Sequence, residues 1–162
     1  MAKKPAKPKG KQAVIAKNKR AFHEYEMVET FECGIVLTGT EVRSLRENNC
    51  QLTDGFALVR NNEVWLNNLH IPPYSHGSIF NGAPDRRRKL LLHRKEIRIL
   101  TQRTQEKGLT LVPTKIYFDK NGRVKVEIAL ARGKKLHDKR QAMAERDQKR
   151  EIERALKERN RY

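Results

Sequence analysis

The segment from Leu109 to Ala131 constrains the fold most strongly, because two runs of alternating apolar residues flank an Asn121-Gly122 pair. Asn-Gly between such runs is a strong signal for a β-hairpin. The register matters because a shift of one residue moves every side chain of a strand to the opposite face. A two-residue loop would mix charged residues into the apolar face. The pattern therefore favours a three-residue loop over residues 120–122, with Gly122 in the left-handed conformation.

This register pairs apolar residues on one face and opposite charges on the other, and both kinds of cross-strand pair are stabilising. The predicted pairs are Phe118 with Val124, Ile116 with Val126, Thr114 with Ile128, Asp119 with Arg123 and Lys115 with Glu127. On the outer face, Lys115, Tyr117 and Lys125 combine cations with an aromatic ring, which suits a phosphate backbone and a stacked base.

Further short strands and helices are predicted before this hairpin. A strand region runs from Arg20 to Thr38, with a bulge or bend at Gly34. A second hairpin turns at Asn61-Asn62, since two Asn residues can both take the positive φ of a type I′ turn. Helices begin at Thr40, as a plausible N-cap, and at His93. The core candidates of the second hairpin are Phe56, Leu58, Val64, Leu66 and Leu69.

Between the second hairpin and the second helix, residues 71–88 are predicted to form a loop rich in Pro and Gly. The cations Arg86 to Lys89 close the loop, and they fit either a solvated surface or an RNA contact. Leu90 to Leu92 then begin a buried segment. Trp65 is the only tryptophan, and a partly buried structural role is favoured over base stacking.

About six strands with two or three short helices predict a mainly β fold, a small β-barrel of the oligonucleotide-binding type, over residues 20–132. Residues 1–19 are predicted to be a flexible basic arm, which would either touch phosphates or only aid solubility. A composition break over residues 133–140 ends the alternating pattern, and residues 133–162 form a basic C-terminal tail.

The net charge of +17 is concentrated at the two ends, with +8 in residues 1–20, +4 in 21–132 and +5 in 133–162. Such ends attract polyanions, chiefly nucleic acid or an anionic membrane. No apolar run is long enough to insert into a membrane, and the basic N-terminus lacks the apolar part of a signal peptide. Cys33 and Cys50 lack metal-ligand spacing, so two reduced thiols in a cytoplasmic protein are expected.

The tail is rich in helix formers and in favourable i,i+4 pairs such as Glu145–Lys149. Its large apolar residues, Met143, Ile152 and Leu156, are too few to hold a helix against a core. We therefore predict a tail that is disordered in isolation and becomes helical when bound along a polyanion.

Nothing in the motifs predicts chemistry. His137-Asp138 is the one tempting pair, yet adjacent residues rarely act as a base and its orienting group unless other groups fix them. Phosphate-binding loops, nucleophile elbows and metal-binding spacings do not occur in the sequence. A non-enzymatic protein without metal or cofactor is expected.

Four motifs, in this order, resemble the bacterial small protein B (SmpB) family. They are Asn18-Lys19-Arg20-Ala21 with His23-Glu24-Tyr25, then Thr40-Glu41-Val42-Arg43-Ser44-Leu45-Arg46, then Arg88-Lys89-Leu90-Leu91-Leu92, and finally Gly133-Lys134-Lys135 with His137-Asp138-Lys139-Arg140. Each motif alone is weak, whereas the ordered set is specific. The similarity runs from about Asn18 into the tail.

The resemblance implies an oligonucleotide-binding-type barrel that binds the tRNA-like domain of transfer-messenger RNA (tmRNA). Such a protein delivers tmRNA, in one complex with elongation factor Tu, to stalled ribosomes for trans-translation. The body would stand where the anticodon arm of a tRNA lies. The tail would meet small-subunit rRNA in the decoding centre and fold into a helix in the empty mRNA channel.

By position, the family's RNA-contact residues fall on Tyr25, Glu32, Leu92 and Lys125. Those that serve the ribosome fall in the tail motif, with His137 near the decoding bases. The tail set is Gly133, Lys134, Lys135, His137, Asp138, Lys139 and Arg140.

Two alternatives stay open from the sequence. A basic barrel protein can also be a constitutive ribosomal component or another translation factor, which would be present on every ribosome. A hydrolase that processes RNA through His137 and Asp138 would cleave RNA when incubated with it and metal.

Overall fold

The structure of the protein is a computed structural model that describes residues 13–47, 50–77, 82–105, 108–134 and 136–160. These ranges contain seven strands and four helices. The strands are β1 (Ala13–Lys17), β2 (Tyr25–Ile35), β3 (Phe56–Arg60), β4 (Glu63–Asn67), β5 (Arg88–Leu91), β6 (Leu109–Phe118) and β7 (Val124–Gly133). The helices are α1 (Lys19–Glu24), α2 (Gly39–Arg46), α3 (Arg94–Thr104) and α4 (Leu136–Arg159).

Six of the strands follow one another around a circuit in which every neighbouring pair is antiparallel. The order is β6, β3, β4, β5, β2 and β7, and β7 pairs again with β6. The β3–β6 link is a single bridge between Ala57 and Leu111, so the barrel is incompletely closed there. The core packs strand residues against Leu45 of α2 and Leu100 of α3. The mainly β prediction is confirmed, but the described strands do not form a clean, fully closed barrel.

The seventh strand, β1, is a correction to the predicted N-terminal arm. Residues 13–17 pair with the second half of β6, and residues 19–24 form α1, where arm and then strand were predicted. The apolar run from Ala13 to Ala16 is short and lies among lysines, so it was not recognised as a strand in the sequence. The remainder of the predicted arm, residues 1–12, lies outside the described residues.

The β6–β7 hairpin has the predicted three-residue loop. Phe118 pairs with Val124, Ile116 with Val126 and Lys115 with Glu127, and the Asp119 N–H donates to the Arg123 carbonyl at 2.9 Å. Gly122 has φ +73°, as predicted. Two expectations are wrong. Ile128 pairs with Pro113 instead of Thr114, because a bulge follows Pro113, which has no N–H for the ladder. Tyr117 is buried, so it is not part of an open outer face.

The β3–β4 hairpin turns at Asn61-Asn62, with φ of +51° and +58°, which confirms the type I′ prediction. Two of the five core residues predicted for this hairpin are wrong. Val64, Leu66 and Leu69 are buried, but Phe56 and Leu58 are exposed. In this register Val64 pairs with Val59 and Leu66 with Ala57 on the inner face, so residues 56 and 58 must point outward.

Helix α2 begins two residues earlier than the sequence indicated. Thr38, rather than Thr40, is the N-cap, and Glu41 completes a capping box with it. Gly34 is not the bulge of β2, which instead falls between Met27 and Glu29. A Cβ at Gly34 would lie 3.2 Å from Leu91 Cβ, so this glycine permits the close approach of β2 and β5.

Asn18 is a buried polar residue that joins three parts of the body. Its Oδ1 accepts from the Ala21 N–H at 3.1 Å and caps α1. Its Nδ2 donates to the carbonyls of Leu52 at 3.2 Å and Pro113 at 3.0 Å. The motif residue Asn18 therefore has a structural role at the junction of α1, β6 and the segment before β3.

Replacing Asn18 with alanine is expected to lower the free energy of unfolding by about 2–4 kcal/mol, since it removes a helix cap and leaves two carbonyls unpaired. Denaturant unfolding followed by circular dichroism measures the change. Asn18→Asp should not restore stability, because it keeps the cap oxygen but turns a carboxylate toward the carbonyls of Leu52 and Pro113. Wild-type stability in the aspartate variant would contradict this role.

The tail departs from the predicted disorder, because Leu136–Arg159 form helix α4. Its helix formers and i,i+4 charge pairs account for the conformation. Met143, Ile152 and Leu156 remain exposed, which agrees with a stripe too thin to pack on a core. The helix contacts the body at α1.

Candidate nucleic-acid interface

A cleft of about 740 Å³ opens where the end of β2, the β5–α3 connection and the β6–β7 turn converge. Its lining includes Glu32, Leu92 and Lys125, together with His93 and Arg123. Three of the four positions predicted to contact RNA therefore meet in one place, although they are far apart in sequence.

The sheet register explains this convergence. Glu32 pairs with Glu127 of β7, and two residues later Gly34 pairs with Lys125 on one side and with Leu91 on the other. Residues 32 and 34 lie on the same face of β2, because side chains alternate along a strand. Leu92 follows directly after β5, where it both packs against the core and lines the cleft. Glu32 and Lys125 are thus positioned by the paired strands, and Leu92 is positioned by its packing against the core.

Glu32 is exposed yet held in place. The Tyr117 hydroxyl donates to its carboxylate, and burial together with this bond raises the pKa of Tyr117 above its ordinary value. Tyr117 is also covered by Lys115, whose ammonium lies 5.3 Å from the ring centroid and 3.2 Å from the Glu127 carboxylate. Glu32 can therefore present a fixed acceptor, whereas Lys125 and Arg123 supply positive charge beside it.

A buried ion pair joins α2 to the start of β5, the two elements that contribute Val42 and Leu91 to the cleft lining. Glu41 of α2 bonds Arg88 at the start of β5, and Arg86 binds the other oxygen of the same carboxylate at 2.7 Å. Arg88 is fully buried and also donates to the carbonyls of Leu69 at 2.5 Å and Pro84 at 2.9 Å. The Arg86–Lys89 run is therefore not one solvated surface, and only Arg87 of its three arginines is exposed.

Burial alone would raise the pKa of Glu41, but hydrogen bonds from Arg88 and Arg86 outweigh it and hold the pKa below its ordinary value. Both carboxylate oxygens are thus committed to the guanidinium groups. No local sequence pattern indicates this pair, since its members lie 47 residues apart.

Tyr25 lies apart from the cleft. It pairs with Gly133 at the opposite end of the β2–β7 ladder, where it lines a small hollow with Asn18 and Asp54. The four predicted RNA contacts therefore occupy two places at the two ends of one pair of strands.

The tail motif begins at this second place. Gly133 ends β7, the Lys134 N–H donates to the Glu24 carbonyl at 3.0 Å, and its Nζ donates to the Phe22 carbonyl at 3.3 Å. Lys135 lies outside the described residues. The backbones of His137, Asp138 and Lys139 belong to α4, but their side chains are not among those described, and Arg140 is exposed.

The family model for SmpB protein matches residues 15–158. The chain belongs to the SmpB family. SsrA-binding protein from Thermobifida fusca is 57% identical over 160 residues, which cover 98% of this chain and 99% of the relative. SsrA-binding protein from Acidothermus cellulolyticus is 59% identical, with 88% of this chain and 89% of the relative covered.

A solved structure titled "tmRNA-SmpB: a journey to the center of the bacterial ribosome" has a similar fold. It is 52% identical, with a TM-score of 0.64, and the match covers 75% of this chain and 85% of the other. Within the described residues, no helix is both long and apolar enough to cross a membrane, and no three metal-ligating side chains cluster.

Proposed function

We propose that this chain binds tmRNA through the cleft of Glu32, Leu92 and Lys125 and takes it to stalled ribosomes for trans-translation. The observation that carries the proposal is the meeting of these three positions in one cleft. The SsrA-binding relatives and the tmRNA–SmpB structure support the choice of RNA.

The chemistry of the cleft fits a structured RNA. Lys125 and Arg123 can contact phosphates, and the fixed Glu32 carboxylate can accept from a base edge or a ribose hydroxyl. Leu92 offers an apolar surface beside them. Tyr25, at the other end of the ladder, would add a second contact to the same RNA.

The tail motif would serve the ribosome rather than tmRNA. Helix α4 is exposed along residues 140–160 except at Ala142, and it carries an excess of cations, so rRNA in a vacant groove is its natural partner. In this proposal Gly133 and Lys134 anchor the helix, and the tail residues from Lys135 to Arg140 enter the decoding centre, His137 among them. The protein acts in the cytoplasm as a binding factor without catalysis, and elongation factor Tu joins the delivery complex.

Lys125→Glu is expected to weaken tmRNA binding by about tenfold, equivalent to about 1.4 kcal/mol, and to reduce the salt slope of log affinity by about 1 or more. A gel-shift titration at several salt concentrations measures both quantities. Lys120→Glu is the matched control, because it makes the same charge change at the exposed turn outside the cleft lining. Equal losses of affinity in the two variants would show that only net charge matters, and would contradict RNA binding in the cleft.

Identification of the RNA that co-purifies with the protein from cells tests the identity of the ligand. We expect tmRNA to co-purify with the wild-type protein in a larger amount than with the Lys125→Glu variant. A constitutive ribosomal component would instead accompany every ribosome in equal amount, and that stoichiometry would contradict the proposal.

A further inference from the structure

The outer face of the β3–β4 hairpin carries apolar and aromatic side chains that the core does not use. Phe56 is 37% and Leu58 49% exposed, and Leu58 pairs across the strands with Trp65. On the same face, Phe56 pairs with Asn67. Large apolar side chains grouped on an exposed sheet face indicate a contact surface.

This face forms a concave site of about 370 Å³. Trp65 is partly buried in it, flanked by Leu58 on β3 and by Lys89 on β5. The site shares no lining residue with the cleft of Glu32 and Lys125, so it is a separate surface.

The charge of the site is positive. Arg60 and Arg87 line it, and neither has an ion-pair partner among the described residues. The acidic group in the lining, Glu63, is neutralised by Lys89, whose Nζ lies 2.8 Å from its Oε1. Two uncompensated guanidinium groups therefore border an indole and a phenyl ring.

We propose that this face binds unpaired nucleotides of an RNA, with bases stacked on Trp65 and Phe56 and phosphates held by Arg60 and Arg87. Aromatic rings beside cations are the arrangement that binds single strands, because every base has a stacking face. A paired A-form helix keeps its bases in the stack and cannot offer them to Trp65. The face assigns a binding role to the tryptophan that sequence reasoning treated as structural.

The charges favour RNA over an apolar protein segment at this face. An apolar partner would cover Arg60 and Arg87 without giving either a counter-charge, and an unpaired buried charge is costly. Phosphates would pair both groups. The proposal does not depend on what the other cleft binds.

Trp65 provides a direct readout, because it is the only tryptophan. Titration of the full-length protein with a single-stranded oligoribonucleotide of about eight nucleotides is expected to quench its fluorescence, since a single strand of this length suits a site of this kind. The double variant Arg60→Glu/Arg87→Glu should weaken this response by at least tenfold. The control Lys95→Glu/Lys120→Glu makes the same charge change at exposed positions elsewhere and should respond more strongly than that variant.

Circular dichroism establishes that both double variants are folded. Absence of quenching by the oligoribonucleotide would overturn the proposal, as would equal losses in the two double variants or stronger quenching by a duplex of the same sequence. The RNA proposal would also be overturned if Trp65 emission changed with RNA-free ribosomal proteins but not with the oligoribonucleotide. The face would then bind a protein. Lys125→Glu should leave the quenching largely intact, so failure of the cleft and failure of this face are distinguishable.

Discussion

Replacing Glu41 with glutamine is expected to lower the free energy of unfolding by about 3–5 kcal/mol, because the change leaves a buried charge without its partner. Arg88 is 0% exposed, and Glu41 is 7% exposed. Glutamine keeps the size of the side chain but supplies no charge to offset the Arg88 guanidinium. Its amide would also turn a donor toward Arg88 or Arg86, which are both donors. Urea unfolding of both proteins measures the loss.

The Lys89–Glu63 pair provides the matched control. Its side chains are 39% and 40% exposed, so Glu63→Gln should cost no more than about 1 kcal/mol in the same experiment. If Glu41→Gln and Glu63→Gln lose equal stability, the prediction that the buried pair matters more than the exposed pair is wrong.

The Glu41 pair also predicts how stability depends on pH. The folded-state pKa of Glu41 lies below its ordinary value of 4.5, so its contribution is present above pH 4.5 and is lost as the pH falls toward the folded-state pKa. The difference in unfolding free energy between wild type and Glu41→Gln should therefore shrink as the solution is acidified below pH 4.5. A difference that stays constant or grows would contradict the assigned direction.

Removing the tail after Lys134 is expected to abolish ribosome rescue while leaving tmRNA binding by the body largely intact. The cut retains Gly133 and Lys134, which belong to the β2–β7 ladder and its link to α1. A cut after Arg132 would also disturb that end of the sheet, so the effect of losing the tail could not be separated from the effect of damaging the body. Gel-shift titration measures binding, and tagging of a peptide stalled on a message without a stop codon measures rescue.

The truncated chain also loses residues 135–162, which carry a net charge of +4, so a second variant must separate charge from conformation. Ala144→Pro/Ala155→Pro keeps every charge and breaks α4, since an interior proline costs a helix about 3 kcal/mol. It should bind tmRNA like the wild type and fail in rescue. Rescue by the truncated chain, or loss of tmRNA binding in it, would refute the division between body and tail.

The sequence predicted best where local chemistry decides the outcome. The Asn61-Asn62 turn and the Gly122 loop require positive φ, and few residue types adopt it, so both hairpins could be placed. The outward position of Phe56 and Leu58 was implied by the same turn, because a two-residue loop fixes every cross-strand pair. Judging each residue by its hydrophobicity alone gave the wrong face.

Side-chain contacts between residues far apart in the chain could not be predicted from the sequence. Nothing adjacent to Arg88 indicates that it is buried, because its counter-charge on α2 and its carbonyl partners come from other segments. Asn18 is a similar case, since its two acceptors lie 34 and 95 residues away. The hairpin pattern indicated Lys125 as a phosphate contact, but Glu32 and Leu92 were named only through family resemblance, which did not show that the three residues meet.

The β2–β7 ladder sets a fixed spacing between the two ends of the body. Eight residue steps separate Lys125 in the cleft from Gly133 at the root of the tail, or about 26 Å at roughly 3.3 Å per residue. Backbone hydrogen bonds between β2 and β7 keep this distance constant. In the proposed function, the first residue of the tail is therefore held at a constant distance from the RNA bound in the cleft, and the orientation of the body determines where the tail is directed.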